Sequence, residues 1–139
     1  MQRMLMIAAA LMLASCSSMP SWIPGSGAMK VNLTPAEEVP PAKSAAKGSG
    51  SFRVAEDGTI SGSVTTEGVQ GMMAHIHQGA KGQNGPVIVP LTKSGDTYTV
   101  PDGRKLTQPQ MDALKAGNLY VNVHSPQYKG GEVRAQLQP

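Results

Sequence analysis

The sequence predicts an all-β fold, an antiparallel β-sandwich or barrel with one short helix. From Met29 onward, short runs of alternating apolar and polar residues are separated by Gly, Pro, Asn and Asp. Short strands at regular spacing, bounded by turn residues, are typical of β-sandwiches and barrels. Strands are expected near residues 29–33, 50–55, 59–66, 71–77, 86–91, 96–100, 119–124 and 132–137.

The N-terminal segment has the pattern of an export signal and is not expected to belong to the fold. Arg3 precedes an apolar run of 11 residues, from Met4 to Ala14. This run is shorter than the roughly 20 residues of a membrane-spanning helix. The residues Leu13-Ala-Ser-Cys16 that close it resemble the lipobox of bacterial lipoproteins. The resemblance implies that residues 1–15 are a signal peptide and that Cys16 is lipidated.

The segment after the signal is predicted to tether the folded domain to a membrane. Cys16 is the only cysteine, so the sequence offers neither a disulfide framework nor a CxxC metal site. Residues 16–28 are expected to form the lipid anchor and a flexible linker, because they are rich in Ser, Pro and Gly. Resemblance to lipoprotein sorting signals favours the outer membrane, facing the periplasm, over the inner membrane. The alternative is an ordinary secreted protein with a stray cysteine at its cleavage site.

The folded domain is expected to span residues 29–139 and to contain one helix. Thr107 can cap this helix together with Gln110, and Gly117 can end it in a left-handed conformation. Prolines in the segment 34–42 remove hydrogen-bond donors, so this segment is predicted to be an extended edge or loop. Residues 43–50 are predicted to continue as a mobile stretch of small polar residues.

Composition excludes several functional classes. Without Arg3, the chain has 11 basic and 9 acidic side chains, spread without a run of like charges. Nucleic-acid surfaces need a clustered basic patch, so no nucleic-acid partner is expected. The sequence has no Gly-x-Ser-x-Gly elbow and no cysteine nucleophile, and the adjacent Glu37 and Glu38 would seldom face one target. We therefore expect a protein that is not an enzyme.

Two of the three histidines alternate on one predicted strand. In Met72-Met-Ala-His-Ile-His77, Met73, His75 and His77 share one face, because successive side chains of a strand point to opposite sides. The other face is apolar and is expected to pack on the core, with Met72, Ala74 and Ile76. Both histidines are therefore predicted on the face away from the core.

The third histidine ends another strand of the same polarity. In Leu119-Tyr-Val-Asn-Val-His124, the apolar residues point inward, and Tyr120, Asn122 and His124 point outward. In the last strand, the expected outward residues are Glu132, Arg134 and Gln136. Glu132 and Arg134 are predicted to form a surface ion pair worth under about 1 kcal/mol.

The three histidines would converge on one patch if these two strands were neighbours, and this patch could bind a metal ion. Alternate strand residues lie about 6.6–6.8 Å apart, so two imidazoles can lean together and reach one metal at about 2.0–2.1 Å. Imidazole nitrogens suit copper, which is favoured, and zinc as the alternative. The same pattern also fits histidines that bond the glycine-rich loop 79–85, or histidines that are simply exposed, and both alternatives stay open.

Three further residues could support such a site. Met73 shares the histidine face and could be an axial thioether ligand, although a methionine at a strand end also serves packing. Asn122 shares the outer face with His124, and Glu38 supplies a carboxylate; either could orient a metal-bound histidine.

Four blocks of the sequence resemble the successive blocks of the CHRD (chordin) domain, which is common in exported bacterial proteins. They are Leu33-Thr-Pro-Ala-Glu-Glu-Val-Pro-Pro41, Ala74-His-Ile-His-Gln-Gly-Ala-Lys-Gly-Gln-Asn-Gly-Pro86, Leu119-Tyr-Val-Asn-Val-His-Ser125 and Gly131-Glu-Val-Arg-Ala-Gln-Leu137. The resemblance implies an extracytoplasmic, immunoglobulin-like sandwich and says little about activity. The histidine pattern is also similar to the copper ligands of Cu/Zn superoxide dismutases. The chain lacks their fourth, bridging histidine, zinc loop and disulfide, so dismutase activity is not implied.

Two functions therefore compete. The first is a lipid-anchored envelope protein that binds a metal ion through His75, His77 and His124, for buffering or transfer. The second is a non-catalytic envelope or adhesion module that binds a protein or polysaccharide partner, whose identity the sequence leaves open.

Overall fold

Alternating apolar residues build two antiparallel β-sheets in the computed structural model, which describes residues 27–139. The predicted signal peptide, Cys16 and nearly all of the linker lie outside the described residues. Within the described part, no helix is long and apolar enough to cross a membrane. The strands are β1 (Met29–Leu33), β2 (Lys47–Val54), β3 (Ile60–Glu67), β4 (Met73–Gln78), β5 (Val87–Pro90), β6 (Thr92–Ser94), β7 (Thr97–Thr99), β8 (Leu119–His124) and β9 (Val133–Leu137).

The two sheets form the predicted sandwich. One has the strand order β1-β2-β3-β7-β6, and the other has the order β5-β4-β8-β9. Paired backbone hydrogen bonds of 3.0 Å between Thr34 and Arg134 join the β1 edge of the first sheet to the β9 edge of the second. Thr34 directly follows β1, so the chain that leaves β1 starts at the β9 edge of the four-stranded sheet and continues over that sheet. This path matters for the site.

The apolar faces meet in the core as alternation predicts. Buried residues of the four-stranded sheet pack with those of the five-stranded sheet in one cluster. Its members from β4, β8 and β9 are Ala74, Ile76, Leu119, Val121, Val123, Val133, Ala135 and Leu137. The prediction for Met72 is wrong: its side chain is 53% exposed, because β4 begins only at Met73 and residue 72 lies beyond the covered part of the sheet.

Local signals predicted the helix better than the second strand. α1 (Gln108–Lys115) begins with the expected capping box, in which Thr107 and Gln110 bond each other's backbone N–H groups, and Gly117 follows it with φ +75°. The predicted mobile stretch 43–50 is instead partly ordered strand, since β2 starts at Lys47. Small residues suit this central strand: a Cβ on Gly50 would collide with the backbone of Ser63 in β3. β6, which forms a hairpin with β7, was not predicted from the sequence.

The outer face of the four-stranded sheet is covered by loops, which rules out the fully solvated face that the sequence leaves open as an alternative. Residues 34–46, which we call the proline strap, include a short 3₁₀ turn at Pro35–Glu37 and cross this face. The strap is held by a hydrogen bond from the Tyr128 hydroxyl to the Lys43 carbonyl (2.7 Å) and by one from Asn84 to the Val39 carbonyl (2.8 Å). Residues 79–86, the glycine loop, lie beside it. Polar side chains beneath these segments are therefore buried.

Candidate metal centre

β4 and β8 are neighbours, and their pairing brings the three histidines together. Met73 lies opposite His124, and His75 lies opposite Asn122, in the antiparallel register. The ring centroids of His75 and His124 are 4.9 Å apart, and those of His75 and His77 are 5.5 Å apart. One nitrogen from each of the three rings lies within 4.8 Å of the other two, so the residues could hold a metal ion.

Hydrogen bonds to backbone carbonyls determine the tautomer of two of these rings. His77 Nδ1 lies 2.9 Å from the Gly85 carbonyl, and His124 Nδ1 lies 2.8 Å from the Lys129 carbonyl. A carbonyl oxygen only accepts, so each Nδ1 carries the proton, and the lone pair of each neutral ring is on Nε2. His77 Nε2 is buried and has no hydrogen-bond partner. These are the nitrogens that can bind a metal.

His75 supplies the third nitrogen through Nδ1, whereas His77 and His124 supply Nε2. Its Nδ1 lies 3.1 Å from His124 Nε2. Because His124 Nε2 carries a lone pair, His75 Nδ1 donates to it in the metal-free protein. His75 is only partly buried, so its proton can move to Nε2, and this shift frees Nδ1 as the third ligand.

The distances between the three histidine nitrogens are close to those of a three-coordinate metal site. Nitrogens bound to one metal at about 2.0–2.1 Å lie about 3.3–3.6 Å apart in tetrahedral or trigonal geometry. The contact between His75 and His124 is already near this value, and the widest separation in the set is at most 4.8 Å. Side-chain rotations that shorten the widest separation by at most about 1.2–1.5 Å would therefore suffice.

Burial keeps the rings of His75 and His77 neutral. It is the largest cause that lowers the pKa of His75 from 6.5 to about 4, and the neighbouring His124 and His77 contribute to the same shift. Burial also lowers the pKa of His77, against the opposing effect of the Gly85 carbonyl. Neutral imidazoles are the form that binds a metal, so His75 and His77 have their lone pairs available at neutral pH.

His77 combines two of the roles that its sequence pattern allowed. It bonds the glycine loop through Nδ1, and it still presents a free nitrogen to a metal. The third role, plain exposure, is wrong for His77, which is 7% exposed. The reason is the cover that the glycine loop and strap supply, which strand alternation cannot predict.

The residues proposed to support the site differ in position. Asn122 is buried beside the histidines, donates to the Gly130 carbonyl at 3.2 Å and leaves its Oδ1 without a partner. Glu38 is only 3% exposed, and its Oε1 also lacks a partner. Burial raises the pKa of Glu38 to about 7, although the charge of Arg134 and the amide of Asn122 lower it. Met73 lies opposite His124 at the open end of the site and is 45% exposed.

The predicted surface ion pair between Glu132 and Arg134 is wrong. Both side chains are buried, and their partners are elsewhere: Glu132 accepts from the Ser44 hydroxyl at 2.7 Å, and Arg134 donates to carbonyls of the glycine loop. The two side chains share one strand face, but the proline strap and the glycine loop pack over that face and supply their partners instead.

Two residues that were not assigned to the site from the sequence contact His77 directly or through one neighbour. The ring of Tyr120 stacks on His77 with a centroid distance of 4.7 Å and an interplanar angle of 1°. The guanidinium of Arg134 lies 3.4 Å from the centre of the Tyr120 ring. The sequence signal that could have assigned them to the site was their position on the same outer face as the histidines.

Comparison with known proteins gives a family match over nearly all of the described residues. The model of the CHRD domain matches residues 29–137. No curated protein and no solved structure matches the chain.

Proposed function

This chain belongs to the CHRD-domain family, and we propose that it is a lipid-anchored protein of the cell envelope that binds one metal ion through His75, His77 and His124. The observation that carries the proposal is the convergence of three imidazole nitrogens, one of which is buried without a partner. A buried polar atom without a hydrogen bond is costly, and a bound ion at this position would remove that cost.

Copper fits this set of donors best. The donors are three imidazoles with no carboxylate among them, and affinity for such nitrogen sites peaks at copper in the divalent series. Three ligands leave a coordination position open, and His75 and His124 reach partial exposure at the edge of the site. Zinc is the alternative, because it accepts the same donors.

The position of the site suits storage or transfer of the metal. His77 lies under the glycine loop, whereas His75, His124 and the exposed Met73 border solvent. A metal held in this way can be reached by an exchanging partner without unfolding of the domain. An anchor at Cys16 would keep this exchange at the membrane surface, facing the periplasm, with outer-membrane placement favoured.

Metal titration of the full chain in mild detergent tests the proposal. We expect one-to-one binding of Cu(I) or Cu(II) in the submicromolar range, weaker or comparable binding of Zn(II), and loss of at least about 100-fold in affinity in the His75→Ala/His77→Ala/His124→Ala variant. Met73→Leu serves as a matched control for the thioether, because it keeps the side-chain volume. If no metal binds more tightly to the original chain than to the triple variant, the metal proposal is refuted, and the adhesion hypothesis becomes the one to pursue.

A further inference from the structure

His77 lies at an irregular point in the pairing of its strand. The pairing of β4 with β5 is irregular between Ile76 and His77, where the register shifts. The Gly85 carbonyl that holds His77 Nδ1 belongs to the glycine loop rather than to a strand. The orientation of His77 therefore depends on what holds that loop.

Tyr120 supports both His77 and the loop. Its ring stacks on the imidazole, and its hydroxyl oxygen accepts a hydrogen bond of 3.0 Å from the Gly85 N–H. The same peptide segment thus bonds His77 through its carbonyl and Tyr120 through its N–H. No side chain fits at position 85, since a Cβ there would collide with the Gln78 carbonyl.

Arg134 holds the glycine loop through hydrogen bonds from its guanidinium. Its Nη2 donates to the carbonyls of Ala80 (3.1 Å) and Gln83 (2.8 Å), and its Nη1 lies 3.4 Å from Asn84 Oδ1. The side chain is 1% exposed, and among residues 27–139 no carboxylate lies within ion-pair distance of it. A buried guanidinium without a paired carboxylate is expensive to place. Its planar fork suits it to bind several carbonyls at once while its face covers the Tyr120 ring.

We propose that Arg134 and Tyr120 are positioning residues that hold His77 in the tautomer and orientation that leave Nε2 free for the metal. The inference rests on the proposed function and names the residues that prepare its site. Arg134 orders the glycine loop and covers Tyr120; Tyr120 fixes Gly85 and stacks on His77; the Gly85 carbonyl then keeps the proton on His77 Nδ1. Without these contacts the ring can turn over or change tautomer, and the metal must then order it on binding.

The test combines two measurements on the full chain in mild detergent. The first determines the His77 tautomer in metal-free protein from ¹⁵N chemical shifts of the ring nitrogens. The second measures affinity for Cu(I) and Zn(II) by competition with a chelator. Tyr120→Phe keeps the stacked ring and removes only the bond to Gly85, and Arg134→Lys keeps the charge and removes the planar fork. Tyr128→Phe is the matched control, since it removes a hydroxyl that bonds the Lys43 carbonyl of the strap, outside the stack.

We expect a single Nδ1-protonated His77 in the original chain and in Tyr128→Phe. Tyr120→Phe and Arg134→Lys should show a mixture of tautomers and an affinity lower by about 10- to 100-fold, which is typical for residues that orient a metal ligand. The inference is overturned if both variants fold, retain a single His77 tautomer and bind metal as tightly as the original chain. If Arg134→Lys does not fold, Tyr120→Phe decides alone. Failure of the original chain to bind any metal would instead refute the proposed function.

Discussion

Replacing Glu38 by glutamine should remove a pH-dependent loss of stability that the buried carboxyl imposes on the metal-free protein. Glutamine keeps the shape of the side chain and cannot ionise. The carboxyl is 3% exposed beneath the proline strap, and its pKa is raised from 4.5 to about 7, chiefly by burial. The folded state therefore binds a proton in a pH range where the unfolded chain has released it.

The sign and size of the pH effect on stability follow from the difference between the folded and unfolded pKa values of Glu38. The favourable contribution of the protonated carboxyl is fully present below pH 4.5, the pKa in the unfolded chain, and is lost as the pH rises to about 7. A tenfold change in proton affinity corresponds to about 1.4 kcal/mol, so a pKa raised from 4.5 to about 7 should lower the free energy of unfolding by about 3 kcal/mol through this group. His75 acts in the opposite direction: its pKa is lowered to about 4, so its contribution grows as the pH rises from 4 to 6.5.

Urea unfolding of metal-free protein at a series of pH values measures the effect. The difference in free energy of unfolding between Glu38→Gln and the original chain cancels the histidines and other shared groups. We expect this difference to move in favour of the variant by about 3 kcal/mol between pH 4.5 and about pH 8. Glu37→Gln is the matched control, because Glu37 pairs with the exposed Lys81 at 3.4 Å and should change stability by less than about 1 kcal/mol. A difference that stays constant with pH would show that Glu38 is ionised in the fold and would refute the reasoning.

Two further predictions concern the strap and the N-terminus. Gly131 has φ +128°, and a Cβ there would collide with Glu38 Oε1 and Asn122 Nδ2, so Gly131→Ala should lower stability by about 1–3 kcal/mol in thermal unfolding; an unchanged midpoint would contradict this packing. Cys16→Ser should release the protein from the membrane fraction, and mass spectrometry of the original chain should show acyl chains on Cys16; an unmodified Cys16 in soluble protein would rule out the anchor.

Local patterns were sufficient wherever the relevant interaction lies within one element. Alternation in Leu119–His124 predicted which residues enter the core, because successive side chains of any strand point to opposite faces. The capping box at Thr107 predicted the start of the helix for a similar reason: its partners are three residues apart. The prediction for Met72 failed at a strand end, where alternation continues but the covering layer does not.

The candidate site was only partly predictable. The common face of His75, His77 and His124 follows from alternation, but their convergence needed β4 and β8 to pair, which the sequence could support only as a condition. The environment of the site depended on contacts that are distant in sequence. The glycine loop reaches Arg134 across a separation of more than 50 residues, in the bonds from Arg134 to Ala80 and Gln83.

The sequence by itself determined the class of fold, the strand faces and the three histidines as the only imidazoles, because these depend on residue type and on periods of a few residues. Tertiary structure alone decided that the outer face is covered, that Glu38 and Arg134 are buried, and that Tyr120 stacks on His77. The physical reason is that burial of a polar group depends on which distant segment packs over it. A strand pattern records the side on which a residue lies, but it does not record the segment that covers that side.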